Sequence, residues 1–194
     1  MPLPKDSCES LSMSDEVYRP SEDTLLLLRV VEGLGKRFKR PIEIGSGSGL
    51  VSARLGEFSD ETHAVDISLD AMRRTRDLLK RRGMWGRAHL LCGDLLTAYR
   101  SSELFDLIVS NPPYLEPEVG DQAIEGGWKL IDRLVEDASK KIKRGGVLLI
   151  VVSSLTSNLE FIFNKLRRRG FSIEIVGKAK LFFEELLAVK CVKE

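Results

Sequence analysis

The chain has 194 residues, of which 43% are hydrophobic and 30% charged, and its formal net charge is +1. This length and balance are typical of one globular domain with a buried core, and they exclude a low-complexity chain. The small net charge gives no broad field for attracting nucleic acid, and no run approaches the ~18 apolar residues of a membrane span. Since the amino terminus also lacks a basic-then-apolar signal segment, we expect a cytoplasmic protein.

The first part of the chain divides into an arm and the start of a domain. Residues 1–16 are polar and patternless and are predicted to form a flexible arm, with a single domain over residues 17–194. Ser21 precedes an apolar run that begins at Leu25, so it is predicted to cap a helix, with Glu22 and Asp23 in the favourable first turn.

The next segment has the order strand, glycine turn, helix. Pro41–Ile44 is predicted as the first strand and is followed by alternating glycines from Gly45 to Gly49. Glycines let the backbone approach a ligand closely, with the N–H groups of the next helix beyond them. The third glycine comes one residue too early for a dinucleotide fingerprint, and no Gly-Lys-Ser/Thr follows for a nucleoside triphosphate.

Acidic residues beside this turn indicate which ligand it accepts. Glu43, in the strand before the glycines, is unfavourable near a pyrophosphate but suited to a cationic ligand, which favours S-adenosylmethionine over NAD. The second predicted strand ends with Ala64-Val65-Asp66, which puts Asp66 about 20 residues after the first glycine of the turn, where an acidic residue binds ribose hydroxyls. Either cofactor would use Asp66 in this way.

A third predicted strand, Ala88–Cys92, is followed by Asp94 and Leu95. Asp94 is placed to accept a hydrogen bond from an adenine amino group, and Leu95 to contribute its backbone and an apolar wall. His63 and His89 lie inside strand-like runs without a partner motif, so we expect no metal site. The three cysteines are far apart in the sequence and are predicted to be reduced thiols.

The fourth predicted strand ends at Asn111-Pro112-Pro113-Tyr114. Pro112 forces Asn111 out of the helical region, so the Asn111 amide is held in a preset direction. In open α/β sheets, ligands bind at the carboxyl ends of strands. The prolines lack N–H groups, so their neighbouring carbonyls are free of competing donors. Such a corner is suited to accept hydrogen bonds from a planar NH2 group.

The rest of the chain completes an α/β pattern. A predicted helix carries apolar residues from Leu130 to Ile142 and is expected to end at Gly145-Gly146, and a buried strand follows at Val147–Val152. After one more predicted helix, Phe171–Val176 and Leu186–Val192 are close enough to form a hairpin. The predicted fold is an α/β three-layer sandwich with a Rossmann-like, mostly parallel seven-stranded sheet and one antiparallel strand near the carboxyl terminus.

Taken together, these residues resemble the class I S-adenosylmethionine-dependent methyltransferases and, within them, the HemK-type release-factor glutamine methyltransferases. The resemblance runs from about Val17 to the end. The bacterial members carry an additional amino-terminal helical domain, so the chain resembles the short archaeal and eukaryotic branch. The motifs that carry the resemblance are Tyr18-x-Pro20-x-Glu22-Asp23-Thr24, Glu43-x-Gly45-x-Gly47-x-Gly49, Asp66, Gly93-Asp94 and Asn111-Pro112-Pro113-Tyr114.

The resemblance implies a cofactor, a reaction and a set of roles. The cofactor is S-adenosylmethionine, and the reaction is N5-methylation of the glutamine in the Gly-Gly-Gln motif of a class I release factor. Asn111 and the Pro112 carbonyl are expected to hold the acceptor amide, with Pro113 and Tyr114 packed beside it. The expected cofactor contacts are Thr24, Glu43, Gly45, Gly47, Asp66, Asp94, Leu95 and Asn111.

Two other functions share parts of this pattern. An adenine-N6 methyltransferase of DNA or RNA would use the same four-residue corner, but we expect no room for a base-flipping domain in a chain of this length, and the net charge is only +1. We therefore expect no nucleic-acid partner. A non-catalytic scaffold with the same fold would not need to keep Glu43, Asp66 and Asp94 together.

The strand Ala88–Cys92 is also a candidate for contact with another protein. In the usual strand order of this fold it lies at the edge of the sheet, and it lacks the prolines and inward charges that normally protect such an edge. A second chain could add a strand there. The resemblance implies a small zinc-binding activator subunit in this position, forming a heterodimer.

Overall fold

The computed structural model describes residues 21–114 and 127–194, which form one seven-stranded sheet between two layers of helices. The helices are α1 (Glu22–Gly33), α2 (Leu50–Glu57), α3 (Leu69–Arg81), α4 (Gly127–Lys141) and α5 (Leu159–Arg168). The strands are β1 (Pro41–Ile44), β2 (Thr62–Asp66), β3 (Ala88–Cys92), β4 (Phe105–Ser110), β5 (Ile142–Ser153), β6 (Phe171–Lys180) and β7 (Glu185–Lys193).

The strand order is β3-β2-β1-β4-β5-β7-β6, and β7 alone runs against its neighbours. This confirms the predicted mostly parallel sheet with one reversed strand. The chain moves outward from β1 to β3 and then crosses back to β4. A crevice therefore lies between β1 and β4 at the carboxyl ends of the strands, which is where this class of sheet binds ligands.

The sheet is buried on both faces. Alternate residues of β4 point to opposite sides: Leu107 and Val109 pack with α1 and α2, whereas Ile108 packs with α4 and α5. Because both faces are covered, the central strands read as continuous apolar runs rather than alternating ones. The predicted three-layer arrangement follows from this burial.

Three local predictions need correction. Ile142 continues the helical spacing of α4 but is the first residue of β5, where it pairs with Phe105 of β4. Gly145, expected to end the helix, instead has a φ of +72° within the strand. Ser21 stands at the start of α1, but its hydroxyl hydrogen-bonds the Asp23 carboxylate and does not accept from the helix backbone.

The predicted arm at residues 1–16, together with Tyr18 and Pro20, lies outside the described residues. No helix in the described part of the chain is both long and apolar enough to cross a bilayer.

Candidate active site

A cavity of about 350 Å³ lies in the crevice at the carboxyl ends of β1, β2 and β4. The fold brings together residues that are far apart in the sequence, and most of the predicted site residues line this cavity. They are Gly45, Asp66, Asp94, Leu95, Asn111, Pro112 and Pro113. The predicted residues Thr24, Glu43, Gly47 and Tyr114 are not in the described lining.

The glycine turn after β1 has the conformation that its sequence predicts. Gly45, Gly47 and Gly49 all have positive φ, at +77°, +49° and +82°. At Gly49 a Cβ atom would lie 2.7 Å from the Thr75 Cα of α3, so any other residue would push the turn away from that helix. The turn therefore depends on glycine for both its conformation and its close packing.

Asp66 is fixed by two backbone donors. Its carboxylate accepts from the Gly47 N–H at 2.9 Å and from the Ser68 N–H at 2.8 Å. A carboxylate has about four lone-pair positions, so acceptor capacity remains for a ligand in the cavity. Gly47 thus acts on the site through Asp66 rather than as part of the cavity wall.

Asp94 forms an ion pair with Arg133 of α4, which the sequence did not predict. Both side chains are partly exposed, at 45% and 42%, so this pair contributes little to stability. Arg133 also lines the cavity. Leu95 has a φ of +48° and is 8% exposed, so it forms a fixed apolar part of the wall.

Glu43 lies behind the glycine turn, not in the cavity wall. It is 3% exposed, and the Ser52 hydroxyl of α2 hydrogen-bonds its carboxyl group. Burial raises the pKa of Glu43 to about 8 and the negative charge of Asp66 adds to this, although the hydrogen bonds from Ser52 act in the opposite direction. Glu43 is therefore mostly protonated at neutral pH.

The Asn111 amide is oriented by Asp23, a residue that sequence reasoning assigned only to the first turn of a helix. The Asn111 side chain faces the Asp23 carboxylate closely enough to lower the pKa of that carboxyl group. A carboxylate can only accept, so the Asn111 NH2 is the donor. The Asn111 Oδ1 atom is buried and has no partner among the described residues. Because buried acceptors are nearly always paired, an unpaired one beside a cavity indicates where a ligand donor binds.

Asp23 stays ionised in this arrangement. Burial by itself raises its pKa, but hydrogen bonds, of which the one from Asn111 is the largest, outweigh burial and lower the pKa below its usual value. Thr24 lies beside Asp23, with its N–H donating to the Asp23 carboxylate at 2.6 Å. In the sequence, Asp23 could have been recognised as a site residue only from its place in the Glu22-Asp23-Thr24 motif.

Tyr114 lies in an outer depression next to the cavity, together with Asp23, and Asn111, Pro112 and Pro113 line both. Burial and the negative charges of Asp23 and Glu184 raise the pKa of Tyr114 to about 12. The phenol is therefore protonated at any physiological pH. The four-residue corner thus forms the wall between a cavity that holds acidic side chains and an opening to the surface.

Comparisons with known proteins show the family to which this chain is related. Residues 21–178 match the methyltransferase small domain family. A putative protein N5-glutamine methyltransferase of Methanocaldococcus jannaschii is 33% identical over 191 residues, which cover 92% of this chain and 93% of that protein. A release factor glutamine methyltransferase of Rhodopirellula baltica is 27% identical over 164 residues, and the match covers 74% of this chain and 55% of that protein.

One solved structure is similar to this chain over nearly the whole length of both proteins. It is the E. cuniculi Mtq2-Trm112 complex, described as responsible for methylation of the eRF1 translation termination factor. The TM-score is 0.73 and the identity 26%, with 91% of this chain and 98% of that chain covered.

The doubly wound sheet, with its glycine turn and acidic residues at the crevice, is the architecture of an S-adenosylmethionine-dependent methyltransferase. The chain belongs to the methyltransferase small domain family, in its HemK-type glutamine methyltransferase branch. The cavity residues fit this cofactor, because Asp66 has free acceptor positions for hydroxyl groups and the glycine turn leaves the backbone open to a ligand.

Proposed function

We propose that this protein transfers a methyl group from S-adenosylmethionine to the N5 atom of the glutamine in the Gly-Gly-Gln motif of a class I release factor. The observation that carries the proposal is the buried, unpaired Asn111 Oδ1 atom, held in direction by Asp23 at the wall of the cofactor cavity. An acceptor fixed in this way selects a donor such as a carboxamide NH2 group. Release factors act in the cytoplasm, which is where we place the reaction.

Different cavity residues would contact different parts of the cofactor. Asp66 binds the ribose hydroxyls, and Asp94 with the Leu95 backbone binds the adenine. The backbone at Gly45 would hold the methionine part, and Gly47 would act through its hydrogen bond to Asp66. Glu43 and Thr24 lie outside the cavity lining and would act on the cofactor only indirectly. S-adenosylmethionine supplies an activated methyl group on a cationic sulfur.

The corner residues align the acceptor. The Asn111 Oδ1 atom and the Pro112 carbonyl accept hydrogen bonds from the two amide hydrogens, so the nitrogen faces the methyl group. As the new N–C bond forms, the C–S bond breaks and leaves a neutral thioether, and the amide nitrogen then loses one proton to solvent. Alignment of this kind can account for ~7–11 kcal/mol of a barrier. Tyr114 remains protonated and packs on the acceptor rather than acting as a base.

Mass spectrometry of methyl transfer to a release factor tests this function. We expect one methyl group on the Gly-Gly-Gln glutamine of the wild-type factor and none on a factor with that glutamine changed to alanine. Methylation of adenine in DNA or RNA oligonucleotides but not of the factor would identify the N6-methyltransferase alternative. A chain that does not bind S-adenosylmethionine would be a scaffold.

Asp66→Ala tests the cofactor site. We expect S-adenosylmethionine affinity to fall by roughly 1–3 kcal/mol, because ribose hydroxyls would lose a buried acceptor. Isothermal titration calorimetry measures the change. Asp70→Ala is the matched control, since Asp70 is an exposed acid (71% of its side chain) in the first turn of α3. Equal affinity of wild type and Asp66→Ala would contradict the assignment.

We also infer that a small zinc-binding activator subunit adds to the edge strand β3. The two edges of the sheet differ in how they are protected. On the opposite edge, β6 carries Glu174, Lys178 and Lys180 and a register shift near Ile175. By contrast, β3 is short and regular, and its Leu90 and Leu91 are only partly buried. Such an edge is suited to pairing with another chain.

Among residues 21–114 and 127–194, the side chains near β3 do not close this edge completely. Lys80 stacks on Trp85, just before β3, at 5.1 Å from the ring centroid. Trp85 is still 44% exposed and lines a shallow depression with His89, Leu90 and Leu91. A partner strand would therefore find both backbone groups and apolar surface.

Leu90→Lys should abolish co-purification with the activator, because it places a charge in the paired surface. Ile175→Lys is the matched control, since it makes the same change of charge at an exposed apolar residue of the other edge strand. Thermal unfolding of each isolated variant checks that loss of binding is not loss of folding, because Leu90 also packs near Leu79 and Met84. Co-purification of Leu90→Lys at wild-type stoichiometry would place the partner elsewhere.

A further inference from the structure

The two histidines of this chain meet at the outer edge of the sheet. The parallel register of β2 and β3 sets His63 directly opposite His89. Their rings are stacked, with centroids 4.5 Å apart and planes 19° from parallel. Glu61 stands two residues before His63, and one potential ligand atom from each of the three residues lies within 4.8 Å of the other two.

His63 is held rigidly but is poorly hydrogen-bonded. The residue is 8% exposed, and the rings of Tyr99 and Phe105 pack edge-on against it, with centroids 6.2 Å and 5.4 Å away. Its Nδ1 atom is buried without a partner among the described residues, and its Nε2 atom has only a long contact of 3.4 Å to Glu61 Oε2. Buried polar atoms are nearly always better paired than this.

Although the sequence led us to expect no metal site at the histidines, we propose that Glu61, His63 and His89 bind a divalent cation such as zinc, with a fourth position open to solvent. Two imidazoles and a carboxylate suit zinc better than they suit magnesium or calcium, which prefer oxygen ligands. Tetrahedral ligands at ~2.1 Å from zinc are ~3.4 Å apart, which is the separation already found between His63 and Glu61. His89 is exposed, so its side chain can rotate to close the third side.

Arg40 affects how tightly this site would bind a cation. Its Nε atom donates at 2.8 Å to Glu61 Oε2, the same oxygen that contacts His63, and so helps to hold the carboxylate in place. An outer partner of this kind orients a metal ligand, but its positive charge opposes a cation. We therefore expect a micromolar rather than nanomolar dissociation constant for zinc.

The site is separate from the active site. His63 and His89 are the second residues of their strands, at the amino-terminal ends, whereas the cofactor cavity lies at the carboxyl ends. A cation here would link the edge strand to its neighbour. Zinc should therefore raise the melting temperature by mass action and leave S-adenosylmethionine binding unchanged.

Titration of the tag-free chain with zinc chloride tests the proposal, with calorimetry for stoichiometry and thermal unfolding for stability. We expect one equivalent to bind and the melting temperature to rise. His89→Ala should weaken binding at least ~10-fold and remove the thermal effect. Because His89 is exposed, this variant should fold and should bind S-adenosylmethionine as wild type does. Glu61→Gln is a second ligand variant that leaves both histidines in place.

Cys92→Ser is the control for the exposed thiol on the same strand and should bind zinc as wild type does. Absence of saturable zinc binding, equal affinity in His89→Ala, or loss of binding in Cys92→Ser would each overturn the proposal. None of these results bears on methyl transfer, so failure here is distinct from failure of the proposed function.

Discussion

Asn111→Ala is expected to lower turnover on the release factor by at least ~100-fold, comparable to the loss of one preorganised transition-state contact. The variant removes the acceptor that aligns the substrate amide, while the ribose and adenine contacts remain. The S-adenosylmethionine dissociation constant should therefore change only several-fold, since Asn111 also lines the cofactor cavity. Single-turnover methyl transfer and calorimetry separate the two effects. Asn164→Ala, at an exposed position of α5, is the matched control.

Asp23→Ala tests whether turnover depends on the orientation of the Asn111 amide. Without Asp23, the Asn111 amide can rotate, so we expect turnover to fall in the wild-type background. In the Asn111→Ala background the same change should add little, because contacting residues are not additive. Additive losses would show that Asp23 acts independently of Asn111, and wild-type turnover of Asn111→Ala would contradict the mechanism.

Glu43→Gln is expected to make the protein more stable at neutral and alkaline pH. The pKa of Glu43 is about 8 in the folded chain, because of burial, against 4.5 for an ordinary glutamate. Between these two values the folded chain keeps a proton that the unfolded chain releases. The stability contributed by Glu43 is therefore fully present below pH 4.5 and is lost as the pH rises toward 8, by about 1.4 kcal/mol per pH unit. Glutamine has the shape of the neutral acid and does not titrate.

Urea unfolding of both proteins from pH 5 to pH 8.5 measures this effect. All other titrating groups are common to the two proteins, so they cancel in the difference between the curves. We expect the advantage of Glu43→Gln to grow with pH over this range and to become constant above about pH 8. Parallel curves would mean that Glu43 is already ionised in the folded protein.

The sequence predicted the order of the helices and strands better than it predicted where each one begins and ends. The apolar spacing of α4 continues through Ile142, so a helical pattern alone cannot show that the strand begins there. The pairing of Ile142 with Phe105, a residue far away in the sequence, decides the boundary. The same reason applies to Asp23, whose neighbours in sequence predict a helix start and whose role depends on Asn111.

The sequence by itself determined the alternation of strands and helices, the glycine turn and the polar corner. These features are local, because glycine and proline restrict the backbone directly and buried parallel strands need continuous apolar runs. Only the tertiary structure decided which polar groups meet. It placed Asp23 on Asn111, Arg133 on Asp94 and His63 opposite His89. Such contacts depend on register and packing between distant segments, and no local pattern of residue types specifies them.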